Sequence, residues 1–376
     1  TMRITQLFQP VITIPKNAKI KNTEITCKSQ KLLLECGLVR PTSSGLFTIL
    51  PLARRALNKL EALIRTCLED CGAQQISLPA LTSSGLWETS GRLQGAPAEL
   101  LKLEDRHGKK YLLAPTHEES IADLLADVGP LSYKQLPLLL YQMSNKYRDE
   151  HRPKHGLLRS RSFSMMDAYA AHISSDCAQK TYSAFEQAYT KLFQSLKLNV
   201  YKVEAPSGDM GGSLSHEWQL PCSVGEDSLP LCLSCSHPVP IERDRCSCGG
   251  AVQTLNSIEV RSRVGHTFIL GTKYSDVLKA NYVNSEGKSL PLIMSCYGIG
   301  ITRLLAASLE VLSTEKALRW PEVIAPYNTL VIGPKVSRLM PVCIKVSQPL
   351  SSHLPLGFTY HHNLFHDDEH LAVLYA

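Results

Sequence analysis

The segment Leu138–Tyr169, LLLYQMSNKYRDEHRPKHGLLRSRSFSMMDAY, decides the fold. A strand-like run, Leu138–Tyr147, leads into a basic stretch, and a second run returns over Ser162–Tyr169. Strand, basic loop and returning strand make an antiparallel pair that would gather Arg148, Arg159 and Arg161 about one point. Guanidinium groups match phosphate oxygens in a two-pronged way. Glu150 would accept a hydrogen bond from an exocyclic amine, and Phe163 offers a flat face to a base. The competing reading is a surface hairpin in which Arg148 and Glu150, two apart on one strand face, simply pair.

Working outward, Leu52–Cys71 reads as a helix with Ala53, Ala56, Leu57, Leu60, Leu63, Ile64, Cys67 and Leu68 on one apolar stripe, stopped by Gly72. A short strand is expected at Gln75–Leu78, before Pro79, and another at Lys110–Leu113. Ser174 or Ser175 would cap a helix whose face carries Tyr182, Phe185, Tyr189, Leu192, Phe193 and Leu196. Helices and strands intersperse without regular alternation. The fold class is therefore α+β with a largely antiparallel sheet, not a doubly wound parallel one. Residues 222–257, rich in Cys, Ser, Gly and Pro, read as an insertion. Residues 320–326 read as a linker before a strand at Thr329–Ile332. The expected division is a main domain over 1–325, carrying that insertion, and a second domain over 326–376.

Four further stretches carry candidate chemistry. In CYGIGITR, Cys296–Arg303, an apolar strand runs through Gly298 and Gly300 into a helix with Ile301, Leu304, Leu305 and Leu309 on one face. Glycines at such a junction let backbone approach a ligand, and the helix start favours anions. Arg303 adds a full charge; a tight packing turn is the bland alternative. In APTHEES, Ala114–Ser120, Thr116 and Glu119 read as a capping box for a helix over Glu118–Val128. Glu118 is left over, a carboxylate placed to hold a substrate ammonium. In GGSLSHEW, Gly211–Trp218, two glycines imply close backbone approach before His216, which is otherwise a satisfied structural histidine. Cys232-x-x-Cys235 and Cys246-x-Cys248 supply four thiolates that would suit Zn²⁺, although the second pair is one residue short of knuckle spacing. His237 is a substitute ligand, and reduced metal-free thiols are the alternative. No thiol-activating pair of His and acid is evident, so catalytic use of these cysteines is not expected.

The composition narrows the class of protein. The chain has 376 residues and a formal charge of +6, compatible with a polyanionic partner without demanding one. Twelve cysteines without a signal peptide read as reduced thiols, not as a secreted disulfide framework. No apolar run reaches the roughly 18–20 residues that span a bilayer. The first acid, Glu24, follows Arg3, Lys16, Lys19 and Lys21. Transit peptides are also acid-poor, but Pro10 and Pro15 spoil an amphipathic helix, and a basic arm of the folded protein reads equally well. Thr1-Met2 points to missing or altered upstream sequence.

Together these strings resemble the class II aminoacyl-tRNA synthetases, and within them the prolyl-tRNA synthetases, over roughly residues 5–335. YRDE with the later Arg161-Ser162-Phe163 resembles the second class-defining motif, GIGITR the third, and the helix and strand ending at Pro79 the first. PTHEE, GGSLSHE, VGHTFILGTKYS (Val264–Ser275) and CYGIG are similar to the prolyl branch. The resemblance implies a six-stranded antiparallel sheet flanked by helices, a homodimer built on the first motif, and a C-terminal α/β anticodon-binding domain. It implies ATP with Mg²⁺ bridging its phosphates, L-proline and tRNA(Pro) as substrates, no membrane, and no covalent enzyme intermediate. By that resemblance Arg148 holds the α-phosphate and the prolyl carboxylate, Glu150 meets the adenine amine and Phe163 stacks on the ring. Gly300 lies at the ATP site, and Arg159 and Arg303 grip the outer phosphates. Thr116 and Glu118 hold the proline nitrogen, and His216 and Cys296 line its ring pocket.

Three departures stand out. The family usually reads REF and MKD where this chain has Arg161-Ser162-Phe163 and Met165-Met166-Asp167, which puts ATP affinity in question. About a hundred residues separate Phe163 from Val264, in place of the large editing domain of bacterial relatives, so post-transfer proofreading is not expected. That short form, with its CxxC insertion, is similar to animal mitochondrial enzymes and implies the mitochondrial matrix; some bacterial relatives also lack the editing domain. Only about 50 residues follow Pro326, and HDDEHLAVLYA, His366–Ala376, resembles the middle of an anticodon domain. Threonyl-tRNA synthetase is the alternative within the class, disfavoured by Ala114 where that family places a zinc-binding cysteine. A catalytically inactive, synthetase-like accessory or tRNA-binding protein is the alternative outside it, motivated by Ser162, Met166 and the short tail.

Overall fold

The amphipathic stripe read around Leu60 forms a helix over Pro51–Glu69, which buries six of the eight marked residues and Leu52, with Leu63 and Cys67 half-buried against the core. A computed structural model describes residues 6–10, 24–95, 99–222, 224, 227–235, 239, 245–246, 248–257 and 264–328. The helices that frame the site are α1 (Lys28–Glu35), α2 (Pro51–Glu69), α3 (Glu118–Asp127), α4 (Ser175–Ser195), α5 (Lys273–Leu278) and α6 (Ile301–Leu312). The strands of the main sheet and of the insertion are β1 (Gln74–Gln75), β2 (Leu138–Tyr147), β3 (Ser162–His172), β4 (Tyr201–Glu204), β5 (Leu214–Gln219), β6 (Asp227–Cys232), β7 (Val252–Ser257), β8 (Gly265–Gly271) and β9 (Ile293–Gly300). Ser174 caps α4 by accepting from the Cys177 amide, as its sequence predicts.

Seven strands form one sheet in the order β4-β5-β8-β9-β3-β2-β1. Every pairing is antiparallel except the edge, where Gln74 and Gln75 lie parallel to Leu140 and Tyr141. Six antiparallel strands, the number the resemblance implies, thus carry a short parallel seventh. The basic hairpin of the sequence is the β2–β3 pair, in register from Leu138↔Ala171 to Tyr147↔Ser162.

Alternation along the strands sends successive side chains to opposite faces. On one face Met166, Ala168, Ala170, Tyr297 and Ile299 join a core under α2, α4 and α6, where Phe185 stacks on Tyr297 at 3.8 Å. On the other, Tyr169, Ala171, Phe268, Met294 and Cys296 join a second core with Ile121 and Leu125 of α3 and Tyr274 of α5. Met166 and Ser162 share the parity of Ala168, so both family departures fall on the face turned away from Phe163 and Asp167. Met166 is fully buried in the first core.

Two expectations change. The capping box does not form: His117, not Thr116, is the N-cap of α3, without a side-chain cap bond. Glu119 instead accepts from Ser90 Oγ at 2.8 Å and pairs with Arg92 at 3.1 Å. Residues 320–326 are not an exposed linker, because Trp320, Ile324 and Ala325 are buried against the first core. Lys59 of α2 donates to the Ala325 carbonyl at 2.5 Å, and Arg55 lies 4.3 Å over the Tyr327 ring. The insertion forms a β6–β7 ribbon paired from Asp227↔Ser257 to Cys232↔Val252. The basic positions Arg3, Lys16, Lys19 and Lys21, His237, the strand expected at Thr329–Ile332 and the stretch His366–Ala376 lie outside the described residues. Among the described residues no helix is long and apolar enough to cross a membrane.

Candidate active site

The second face of the sheet floors a cavity of about 330 Å³. Its lining includes Thr116, Glu118, Arg148, Phe163, Cys296, Gly300 and Arg303, so seven of the ten substrate-site residues read from the sequence converge there. The volume falls in the range of small-molecule sites. β3 supplies Phe163, Met165, Asp167 and Tyr169 at alternate positions, and β9 supplies Cys296, Gly298 and Gly300. Glycine keeps this floor low: a Cβ at Gly298 would come within 2.6 Å of the Met165 methyl. α6 begins directly after Gly300, so its unpaired amides open at the end of this strand.

Cations gather around Phe163. The Arg148 guanidinium lies 5.3 Å from the ring centroid and that of Arg303 lies 5.9 Å away. Arg303 is steadied by donating Nε to the Leu158 carbonyl at 3.0 Å, which ties α6 to the loop of the basic hairpin. Glu150 and Arg159 pair with each other at 2.9 Å and do not line the cavity. The expected cluster of three arginines therefore splits. Arg148 enters the cavity, Arg159 is held by Glu150, and Arg161 donates to the Glu150 carbonyl at 3.0 Å.

Beside this basic wall sits a buried acidic one. Arg92 and Glu118 are 7% and 3% exposed, and they pair at 3.3 Å. Arg92 also donates to Thr116 Oγ1 at 3.3 Å and lies 4.4 Å over the Trp87 ring. Burial works against the Arg92 charge, but Glu119 and Glu118 outweigh it and push its pKa up, so it stays a cation. Cys296 is buried and bonded to Glu118; burial first, then that carboxylate, push its thiol well above the ordinary range. It is a protonated wall group, not a nucleophile.

Under Tyr169 runs a buried polar network. Lys146, at 0% exposure, pairs with Asp167 at 2.8 Å and contacts His117 Nδ1 at 2.7 Å. Asp167 accepts further bonds from Gln142 at 3.0 Å and Tyr169 at 2.8 Å. His117 Nε2 faces the Pro79 carbonyl at 2.9 Å, which requires a hydrogen there. Gln142 also approaches His117 Nδ1, at 3.0 Å. This network ties the strand exit at Pro79 to the sheet.

His216 does not reach the cavity. It pairs across β5–β8 with Thr267, and its Nδ1 bonds Tyr182 of α4 at 2.8 Å on the opposite face. The cavity side of β8 carries His266, whose ring lies 3.8 Å from that of Phe268. The glycine pair before His216 does mark close backbone approach. The neighbour is β8 itself: a Cβ on Gly212, at φ +100°, would collide with the Ile269 carbonyl. Sequence reading missed Arg92, Trp87, Lys146 and Asp167. An arginine in SGR and a lysine inside a strand carry no spacing that announces a buried partner.

The comparisons with known proteins agree with this geometry. Residues 101–312 match the tRNA synthetase class II core domain (G, H, P, S and T). A Rattus norvegicus protein named probable proline–tRNA ligase, mitochondrial, is 45% identical over 345 residues, which is 88% of this chain and 71% of that protein. The Homo sapiens protein of the same name is 43% identical over 361 residues, 94% of this chain and 75% of that one. The fold resembles the structure of Giardia lamblia prolyl-tRNA synthetase in complex with prolyl-adenylate, with a TM-score of 0.66 at 20% identity. That likeness covers 80% of this chain and 55% of the Giardia chain, so this chain spans just over half the length of that structure.

Proposed function

The chain belongs to the proline–tRNA ligases of the class II aminoacyl-tRNA synthetases, and from that premise we propose how its own residues activate proline and pass it to tRNA(Pro) in the mitochondrial matrix. The observation that carries the reading is one cavity with an arginine-flanked aromatic face at one side and a buried carboxylate at the other. Adenylate formation needs both. ATP brings negative charge, and proline brings a secondary ammonium with a carboxylate.

Arg148 bridges the α-phosphate and the prolyl carboxylate, offsetting the charge that would hold two anions apart. Phe163 takes the adenine face, with Arg303 closing over it and the start of α6 facing the phosphates. Glu150 and Arg159 meet the nucleotide, at its adenine amine and outer phosphates respectively, by exchanging their mutual pair for contacts with it. Glu118 takes the proline ammonium, held in place by Arg92, and Thr116 accepts its second hydrogen. Cys296, Phe268 and His266 wall the pyrrolidine ring, with His266 in the role expected of His216. A carboxylate oxygen of proline attacks the α-phosphorus and pyrophosphate leaves. A terminal ribose hydroxyl of the tRNA then attacks the prolyl carbonyl and AMP leaves. Most of the acceleration is positioning and charge compensation.

Four acids line the cavity: Glu118 and Asp167, already bonded to Arg92 and Lys146, and Glu99 and Asp209. Mg²⁺ fits this site as an ion carried on the nucleotide's phosphate oxygens, its usual mode, and it would neutralise charge on the departing pyrophosphate. The chain works as a homodimer built on the region ending at Pro79.

Glu118→Gln tests the assignment of the amino-acid side. Loss of a charge-assisted bond costs about 1.5–3 kcal/mol, which corresponds to roughly 10–100-fold in KM for proline. The KM for ATP should move less than about threefold. Equal changes in both constants, measured by steady-state pyrophosphate exchange, would remove Glu118 from the proline site.

A further inference from the structure

The ribbon inserted between β5 and β8 ends in four cysteines that the synthetase chemistry does not use. None of the described residues between 227 and 257 lines the cavity. We propose that Cys232, Cys235, Cys246 and Cys248 form a tetrathiolate site for one Zn²⁺ that clasps the open end of the β6–β7 ribbon and takes no part in adenylate formation.

The sulfur geometry carries this assignment. The four Sγ atoms lie within 4.8 Å of one another, the one such group among the described residues. Cys232–Cys248 is 3.4 Å, Cys235–Cys246 is 3.5 Å and Cys235–Cys248 is 3.5 Å. Sulfurs about 2.3 Å from a tetrahedral zinc stand roughly 3.8 Å apart. A disulfide would need about 2.05 Å, and one sulfur would have one partner. Here Cys248 and Cys235 each stand within 3.5 Å of two sulfurs, so the four cluster about one centre and do not divide into two bonded pairs.

The backbone is shaped to the same end. Cys232 closes β6, and the amides of Cys235 and Ser234 turn back to its sulfur. Across the ribbon, Gly249 donates to the Cys246 carbonyl at 2.9 Å and Cys246 donates to the Gly250 carbonyl at 3.2 Å. Gly249 sits at φ +82°, so a left-handed residue after the second pair supplies the reversal that its short spacing lacks. Gly250 packs against the site, where a Cβ would come within 2.7 Å of Cys232 Sγ and 2.5 Å of Ser234 Oγ. The Leu233 amide bonds the Ala251 carbonyl at 2.8 Å and joins the two turns. A two-stranded ribbon is marginal in water on its own, and a metal clasp is a common remedy in segments too small for a core. Soft thiolate donors select Zn²⁺ over Mg²⁺ or Ca²⁺. Binding releases the thiol protons.

The test uses the whole chain, purified without chelator, desalted and assayed for metals by plasma mass spectrometry. One zinc per chain is expected, and none in the double variant Cys232→Ser/Cys235→Ser, which should keep proline-dependent exchange within about twofold. Replacement by Co²⁺ in the unaltered chain should give the thiolate charge-transfer and ligand-field bands of a tetrahedral centre, so the result does not depend on the variant folding. Zinc should also slow modification of these four thiols by a disulfide reagent at least tenfold. A chain that retains no zinc, gives no cobalt spectrum and loses its thiols at one rate with or without zinc overturns the proposal. Iron in place of zinc overturns the choice of metal. Metal content is read apart from activity, so none of these outcomes bears on the ligase reading.

Discussion

Arg148→Ala is expected to lower proline-dependent ATP–pyrophosphate exchange by 10²–10³-fold or more, with kcat and kcat/KM falling together. Removing one preorganised donor from a developing anion typically costs about 2.7–4 kcal/mol. Arg148 is proposed to serve two anions at once, and two of the other donors nearby are committed elsewhere: Arg159 to Glu150 and Arg92 to Glu118 and Glu119. Arg148→Lys should recover only a small part, because a point charge cannot make the two-pronged contact. Parallel losses in kcat and kcat/KM are the signature of an interaction made in the transition state. A variant with unchanged kcat and a raised KM for ATP would show that Arg148 only helps to bind the nucleotide. Unaltered thermal unfolding would separate either result from damage to the fold.

Lys146→Met is expected to destabilise the protein by about 3–5 kcal/mol, the cost of leaving a buried charge without its partner. Lys146 has no exposure, and Asp167 beneath the cavity is 5% exposed. Burial opposes the Asp167 charge, but His117 beside it and the Lys146 ammonium outweigh that and hold its carboxyl below the ordinary value. A depressed carboxyl stabilises the fold above its unfolded value, about 3.9, and that contribution is lost as pH falls through the folded value. Without Lys146 the carboxyl is held down less strongly, so the variant loses less stability as that carboxyl takes up its proton. The gap between the variant and the unaltered chain should therefore narrow on acidification, as read from urea unfolding at several pH values. A gap that stays constant with pH would mean that only packing was lost.

The sequence disclosed this molecule unevenly, for physical reasons. The β2–β3 hairpin was legible because its strands are apolar and its loop is basic, a contrast that single-residue chemistry makes visible. The α2 stripe was legible because seven buried positions recur at helical spacing. Arg148, Phe163, Glu118 and Arg303 could be named because each stands at a strand or helix end, where backbone groups and charge converge on ligands. His216 misled because a one-residue step along a strand turns a side chain through the sheet. Spacing alone did not say whether it or its neighbours faced the cavity. The Lys146–Asp167–His117 network was invisible because its members come from two strands and a helix cap, and only the register joins them. Arg92 was hidden for the same reason, since its partners Glu118 and Glu119 lie on a different element. The face on which Ser162 and Met166 lie, opposite Phe163, became plain only from the strand register.

The account rests on one claim, that this cavity joins proline to AMP. The most direct measurement is pyrophosphate exchange by the unaltered chain with each standard amino acid in turn, with and without Mg²⁺. The account predicts Mg²⁺-dependent exchange with proline and, with every other amino acid, exchange weaker by at least about two orders of magnitude. A folded chain that supports no exchange with any amino acid would contradict it, and a non-catalytic, tRNA-binding role for the same fold would then stand in its place.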